Sequence, residues 1–239
     1  MERILSYADG KECFLYLPDD FTPGKEYRLM LHFHGRTDSS EATGGNLAGP
    51  EFALFRQLCA ERNWVIAVPV LNSSWFNAEK ENDVERMLPA LEKELQIPVA
   101  RHYVLGCSMG GLAALVYAGR HPERVIRLCD IFGVADIIAQ SETWYKANIA
   151  RAYGGTYEEI PAFYESRRGL HYVDTLSAIP TLIIHGLEDG QVDIAQSRAL
   201  YAAMKQAGAS DVTFHEVPGC GHSNAIISGL ENMVLDFFG

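Results

Sequence analysis

A serine flanked by glycines, in Gly106-Cys107-Ser108-Met109-Gly110-Gly111, is the stretch of this chain with the clearest chemical meaning. The apolar run before it predicts a strand, and the run after it is rich in strong helix formers. A sharp strand-to-helix turn holds a serine hydroxyl exposed above the sheet, and the glycines leave room for the tight backbone. The pattern therefore predicts that Ser108 is a nucleophile. An ordinary Gly/Ser turn is the alternative.

A serine hydroxyl is a weak nucleophile, so it needs a base and an acid that orients the base. In this type of fold both follow the serine, in the order acid then histidine, at the ends of later strands. Asp189 lies on the turn just after the apolar run Thr181–Ile184 and Gly186, and it is predicted to be the acid. An Asx-turn residue is the alternative for Asp189. Asp193 is interpreted as a helix N-cap.

The base is predicted from its position, because the chain has eight histidines and a lone one means little. His222 follows the last predicted strand and precedes the last predicted helix, in the glycine-rich stretch Gly219-Cys220-Gly221-His222. His215 also follows the serine and the acid, but it lies within a predicted strand, so only His222 combines the required order with a glycine-rich loop after the final strand. His222 is therefore the predicted general base.

An acyl-transfer site also needs backbone N–H groups that bind the oxyanion of the tetrahedral intermediate. Met109 follows the nucleophile and is predicted to supply one N–H group. Arg36, in the loop that follows the strand Arg28–Phe33, is predicted to supply the second. Gly35 would permit the turn of that loop, and His34 would anchor it.

The elements that must position these residues alternate along the chain. Strands are predicted at Cys13–Leu17, Arg28–Phe33, Val65–Val70, Tyr103–Leu105, Val125–Phe132, Thr181–Ile184 and Val212–Val217. Helices are predicted at Glu51–Arg62, Asn82–Leu95, Met109–Arg120, Ile194–Ala207 and Ala225–Phe238. Strands separated by helices of this length predict an α/β fold with a mostly parallel central sheet flanked by helices. We expect one domain over residues 1–239.

The segment at about 134–177 interrupts the alternation and carries seven aromatic residues. It follows one strand and precedes another, so we predict a small helical cap over the carboxyl end of the sheet, where ligands bind in open α/β folds. An elongated crossover is the alternative. Trp144, in this segment, and Trp75, in a loop after a strand, are predicted to contact substrate. Trp75 could equally cover the edge of the core.

Composition limits the partners. The net charge of -11 and the 48% of hydrophobic residues indicate a folded acidic protein, which argues against nucleic acid and anionic membranes as partners. The five cysteines match no zinc pattern and several lie in apolar runs, so we expect a cytoplasmic protein without a metal site. His32 and His34 could form a metal pair, but the residues downstream lack the acid that such a site needs. No cofactor is expected, and a homo-oligomer is possible.

The predicted nucleophile, acid, base and oxyanion donors occur in the order required, and the chain resembles the α/β-hydrolase superfamily over nearly its whole length. The matching motifs are His34-Gly35, Gly106-x-Ser108-x-Gly110-Gly111, His185-Gly186-x-x-Asp189-x-x-Val192 and Gly221-His222. Phe14-Leu15-Tyr16-Leu17-Pro18, followed by Gly24-Lys25-Glu26-Tyr27, is similar to the esterase and prolyl-oligopeptidase-like branch.

The resemblance implies a serine hydrolase, and we expect a carboxylesterase that acts on a small-molecule ester with a short acyl or small aromatic or sugar group. A thioesterase, a deacetylase or a small peptidase with the same triad is an alternative. A ligand-binding member of the fold without catalysis is another. Serine-hydrolase activity lost on Ser108→Ala would separate the enzymes from the binding protein.

Overall fold

The computed structural model describes residues 1–47 and 49–239, and in this part of the chain eight strands form one mixed sheet. The strands are β1 (Glu2–Tyr7), β2 (Lys11–Tyr16), β3 (Arg28–Phe33), β4 (Trp64–Pro69), β5 (His102–Cys107), β6 (Val125–Ile131), β7 (Thr181–Gly186) and β8 (Val212–Val217). Their order is β1-β2-β4-β3-β5-β6-β7-β8, with β1 and β2 antiparallel to their neighbours and the other six strands parallel. The predicted fold class is confirmed.

Helices cover both faces of this sheet. They are α1 (Ser40–Leu47), α2 (Pro50–Glu61), α3 (Ala78–Leu95), α4 (Met109–Arg120), α5 (Ile137–Ser141), α6 (Lys146–Tyr153), α7 (Pro161–Glu165), α8 (Val173–Leu176), α9 (Ala195–Gln206) and α10 (Glu231–Phe238). Buried side chains of α3, α4 and α9 share one apolar cluster, and those of α2 and α10 share the other. The parallel strands read as continuous apolar runs because neighbouring residues face opposite clusters.

The carboxyl ends of β3 to β8 lie at one edge, where the loops that carry the predicted site residues emerge. The nucleophile follows β5, the predicted acid follows β7 and the predicted base follows β8. Parallel strands thus bring together three residues that are 33 to 114 positions apart in the chain.

The edge strand β1 was not predicted from the sequence. Five of its six residues are exposed or half-exposed, so its side chains do not follow the alternation of a half-buried strand. The last predicted helix is also shorter than expected. A 3-10 turn at Asn224–Ile227 precedes α10, and Gly229 between them has a φ of +84°, which interrupts the helix.

The segment between β6 and β7 has two parts. Its second part, the 3-10 turn Gly169–Tyr172 and α8, packs against α4 as a crossover does. Arg167, just before this part, forms an ion pair at 2.8 Å with Glu81 of α3, and Arg120 of α4 donates to the hydroxyl group of Tyr172 at 2.8 Å, so this part is held to the flank of the sheet. Its first part, around α5 and α6, extends to the carboxyl edge. Within the described residues, every helix is too short or too polar to span a bilayer.

Candidate active site

Ser108 occupies a strained turn between β5 and α4, with φ 57° and ψ −123°. A β-carbon on Gly106 would lie 2.3 Å from the carbonyl oxygen of Gly110, and one on Gly110 would lie 1.9 Å from that of Phe33. Both distances are too short for any side chain, so glycine is required on each side of the serine. Residues held in such sparsely populated conformations concentrate at functional sites.

The three residues of the predicted triad form one chain of hydrogen bonds. His222 Nε2 lies 2.8 Å from Ser108 Oγ, and His222 Nδ1 lies 2.7 Å from Asp189 Oδ2. A carboxylate only accepts, so Nδ1 carries the hydrogen and Nε2 is free to accept the proton of the serine hydroxyl. The ring of Phe132 packs 4.6 Å from the ring of His222 and supports it from one side.

The two carboxylate oxygens of Asp189 have different partners. Oδ1 accepts hydrogen bonds from the backbone N–H groups of Gln191 and Val192 at 2.8 and 2.9 Å, which is an Asx-type turn. Oδ2 faces His222 and, at 3.2 Å, His185 Nε2. Burial by itself raises the pKa of Asp189, but these hydrogen bonds outweigh it and hold the pKa well below its usual range. The carboxylate is therefore ionised at neutral pH.

The two predicted oxyanion donors belong to two different elements, Met109 to α4 and Arg36 to the loop after β3. Met109 is the first residue of α4, and the first intrahelical hydrogen bonds are donated by Gly111 and Leu112 to Ser108 O. The Met109 N–H group therefore has no intrahelical acceptor. Arg36 belongs to the loop after β3 and lines the same cleft as the serine.

His34 anchors the loop that carries Arg36. Its Nε2 accepts a hydrogen bond from the N–H group of Leu71 at 2.8 Å, so its Nδ1 carries the hydrogen and donates to Gly35 O. Burial lowers the pKa of His34 to about 4, which keeps the ring neutral and able to accept. His32, the other imidazole of the alternative metal pair, packs 5.2 Å from the ring of Phe52, and burial lowers its pKa to about 3.

The cleft above Ser108 is small and mostly polar, with a volume of about 220 Å³. It is lined by Gly35, Arg36, Ser108, Phe132, Tyr145, Gln191, His222, Ser223 and Asn224. The hydroxyl group of Tyr145 donates to Gln191 Oε1 at 2.8 Å, so the segment after β6 and the loop after β7 meet across the cleft. The guanidinium of Arg36 lies 5.9 Å from the centre of the Tyr145 ring.

The two predicted substrate contacts, Trp75 and Trp144, are not among the residues that line this cleft. Trp75 is 2% exposed, its indole N–H donates to Asn148 of α6, and its ring meets the edge of Tyr145 at 5.2 Å. Trp75 therefore supports the wall of the cleft from behind. Trp144 is 70% exposed and lies beside Tyr145 at 5.9 Å, outside the cleft itself. The packing of α6 against the loop after β4 decides the position of Trp75.

Sequence reasoning did not single out the residues that form the walls of the cleft. Tyr145 is one of the seven aromatic residues of the 134–177 segment, and most of the others pack inside that segment. Gln191 could have been found, because it lies two residues after Asp189 on the same turn. Asn224 and Ser223 directly follow His222 and could have been found in the same way.

The chain is similar to known serine hydrolases in sequence and in fold. The model of the prolyl oligopeptidase family matches residues 77–238, about two thirds of the chain. Esterase LipQ of Mycobacterium tuberculosis is 36% identical over 67 residues, which are 28% of this chain and 16% of that protein. A candidate dipeptidyl aminopeptidase of Schizosaccharomyces pombe is 23% identical over 222 residues, 86% of this chain. That match spans 24% of the yeast protein, so the chain covers a quarter or less of either relative.

Among solved structures, the fluorophosphonate-binding serine hydrolase FphF of Staphylococcus aureus superposes with a TM-score of 0.80. The superposition covers 100% of this chain and 98% of that one at 12% identity, which is a likeness of fold. Sequence family and fold agree, and the chain belongs to the prolyl oligopeptidase family of serine hydrolases with the α/β-hydrolase fold.

Proposed function

We propose that this chain hydrolyses carboxylic esters through an acyl-enzyme intermediate on Ser108. The observation that carries the proposal is the continuous hydrogen-bond chain from Ser108 Oγ through His222 to Asp189, with distances of 2.8 and 2.7 Å. A base within this distance of a hydroxyl group, itself oriented by an ionised acid, is the arrangement that activates a serine.

The proposed reaction has two steps. Ser108 Oγ attacks the ester carbonyl carbon as His222 Nε2 takes the hydroxyl proton, and Asp189 stabilises the resulting imidazolium. The N–H groups of Met109 and Arg36 hydrogen-bond the oxyanion. His222 then gives the proton to the leaving alcohol, and the acyl group stays on the serine. Water attacks the acyl carbon as His222 takes one of its protons, and His222 then returns that proton to Ser108 Oγ as the bond between the acyl carbon and Oγ breaks and the carboxylic acid is released.

The size of the cleft favours small esters. A volume of about 220 Å³ is below the roughly 300–1,000 Å³ of pockets that enclose drug-sized ligands. We therefore propose a short acyl group against Phe132 and a polar alcohol group among Gln191, Asn224 and Tyr145. We also propose that α5 and α6 act as a small cap, because they carry Tyr145 to the cleft.

Peptide hydrolysis is the second candidate, and the family match favours it because that family includes peptidases by its name. The same triad would cleave an amide, a thioester or an acetyl ester. The ester is placed first because an alcohol is a better leaving group than an amine. Cleavage of an ester therefore needs less stabilisation of the transition state than cleavage of a peptide bond.

The test is a substrate series run on the full chain. We expect turnover of p-nitrophenyl acetate and butyrate to exceed that of the octanoate and of aminoacyl p-nitroanilides. Ser108→Ala and His222→Ala should each lose roughly four to six orders of magnitude in kcat while keeping the wild-type Tm. Ser210→Ala, an exposed serine beyond the opposite end of the sheet, is the matched control.

Near-wild-type ester turnover by Ser108→Ala would refute the site. Faster cleavage of the anilides than of the esters would replace the esterase proposal with the peptidase one. Labelling by a fluorophosphonate probe, lost in Ser108→Ala and kept in Ser210→Ala, would identify the nucleophile independently of the substrate chosen.

A further inference from the structure

One buried histidine contacts the predicted acid from the side away from Ser108. His185, the fifth residue of β7, is completely buried and has three polar partners. Its Nε2 lies 3.0 Å from Val192 O and 3.2 Å from Asp189 Oδ2, and its Nδ1 lies 2.7 Å from the hydroxyl group of Ser197. The ring thus connects β7, the turn that carries Asp189 and helix α9.

The partners determine where the hydrogen on this ring is. A backbone carbonyl and a carboxylate only accept hydrogen bonds, so the Nε2 atom between Val192 O and Asp189 Oδ2 must be a donor. The Ser197 hydroxyl group, itself completely buried, satisfies Nδ1 on the other side of the ring. His185 cannot rotate without leaving at least one buried polar group unpaired, which is costly.

The two imidazoles that meet at Asp189 Oδ2 have different roles. His222 makes the shorter contact, at 2.7 Å, and reaches the nucleophile, whereas His185 makes the longer one, at 3.2 Å, and does not. With the N–H groups of Gln191 and Val192 on Oδ1, the carboxylate has four donors around it. Rotation of the carboxylate toward or away from His222 is therefore blocked in both directions.

We propose that His185 is a positioning residue, which holds the Asp189 carboxylate in the plane that His222 needs. The inference rests on the proposed function, because it assigns Asp189 to the orientation of the base. His185 touches neither substrate nor the reacting atoms. It acts by fixing one carboxylate oxygen, and Ser197 fixes His185.

The experiment compares His185→Phe, which removes the donor, with His185→Gln, whose amide N–H reaches toward the same place. We expect His185→Phe to lower kcat by roughly 10- to 100-fold, the effect of losing one hydrogen bond to a charged group, with little change in KM. The acid limb of the pH profile of kcat/KM should move to lower pH, because a misaligned carboxylate stabilises the imidazolium less. His185→Gln should recover most of kcat.

The matched control is His215→Phe on the neighbouring strand β8, which is half-exposed and outside the site. It should leave kcat and the pH profile unchanged. Should His185→Phe not fold, Ser197→Ala decides the question, because it removes the group that holds the ring. A fall in kcat with the same displacement of the acid limb supports the inference.

A lower Tm with unchanged kcat and an unchanged pH profile would show a purely structural histidine and overturn the inference. So would an acid limb that moves to higher pH at unchanged kcat, since His185 would then only withdraw charge from Asp189. Failure of the proposed function is distinguishable, because in that case Ser108→Ala would also remain active.

Discussion

At the scale of single residues, the clearest feature is that the three residues Asp189, His222 and His34 near Ser108 have hydrogen-bond partners at both of their side-chain polar atoms. Asp189 uses both oxygens, His222 both ring nitrogens and His34 both of its own. Side chains with every hydrogen bond made are held in one orientation, and catalysis by a serine depends on such preorganised geometry.

Asp130 is the exception at this scale. It is completely buried in β6, packs against the backbone of Gly111 and Gly133, and neither of its oxygens has a hydrogen-bond partner within the described residues. Burial raises its pKa to about 7, although the nearby His185 lowers it slightly. An unpaired buried carboxyl group is stable when it is protonated, so Asp130 is expected to be neutral in mildly acidic solution.

This predicts a pH-dependent stability. The folded state keeps the proton between about pH 4 and pH 7 while the unfolded state has lost it, so Asp130 makes the free energy of unfolding fall as pH rises through this window, by about 1.4 kcal/mol per unit. Asp130→Asn cannot titrate and should lose this dependence. Urea unfolding of both proteins from pH 4 to 8 measures it, and parallel curves would contradict the assignment.

At the scale of elements, the turn between β5 and α4 shows why the glycines of the motif cannot be replaced. An alanine at position 110 would place its β-carbon 1.9 Å from Phe33 O, a backbone atom of the neighbouring strand, which a rotamer change cannot relieve. Strand β3 or helix α4 would have to move, and both carry parts of the proposed site.

Gly110→Ala should therefore lower the free energy of unfolding by more than about 3 kcal/mol. Gly190→Ala is the matched control, because nothing lies within 4 Å of its added β-carbon, and its change should stay within about 0.5 kcal/mol. Denaturant unfolding of both variants measures the difference. A Gly110→Ala protein as stable as the control would show that the two elements can separate at little cost.

The loop after β4 is the second element that matters, because Trp75 connects it to α6 and to Tyr145. Trp75→Phe removes the hydrogen bond to Asn148 and part of the contact with Tyr145. We expect KM for short esters to rise by roughly 3- to 10-fold at nearly constant kcat. The reason is that Tyr145 is held less firmly in the wall of the cleft, which costs about 1 kcal/mol of substrate-binding free energy. Steady-state kinetics check this.

Trp64→Phe is the control for that substitution, because Trp64 is equally buried but belongs to the apolar cluster on the α2 and α10 face of the sheet. It should lower Tm and leave KM unchanged. A Trp75→Phe variant that loses kcat at constant KM would mean that this loop serves the nucleophile, through the hydrogen bond that the backbone N–H group of residue 75 donates to Met109 Sδ.

At the scale of the whole molecule, the net charge of -11 is the feature that acts beyond contact distance. It repels anions over a Debye length, about 10 Å at 0.1 M salt, whereas Arg36 at the cleft attracts them locally. Arg36 is also paired with Asp38 at 3.1 Å, so its own field is weakened. The overall repulsion should dominate the approach of substrate.

We therefore expect kcat/KM for an ester that carries a carboxylate to rise as salt increases from 10 to 300 mM, because screening removes the repulsion. A neutral ester of equal length should show no such rise and is the control. A rate for the charged ester that falls with salt would indicate that Arg36 attracts the substrate more strongly than the whole protein repels it.

The sequence determined most of the elements and the identity of the three central residues. The apolar runs located seven of the eight described strands, and the signal is clearest for the central strands, because a strand buried on both faces leaves a continuous hydrophobic signature. Ser108, Asp189 and His222 could be chosen from their local motifs together with their order, since parallel strands bring their following loops to one edge. The exposed strand β1 left no such signature, and the sequence did not predict it.

Only the tertiary structure decided which side chains surround these three. Tyr145 lines the cleft and Trp75 packs behind it because α6 packs on the loop after β4. This is a contact between segments about 70 residues apart in the chain. His185 meets Asp189 because the turn after β7 folds back on its own strand, and Asp130 is buried because α4 covers β6. Such contacts depend on how the elements pack against one another. Hydrophobic periodicity predicts that a residue is buried, but not which residues it contacts.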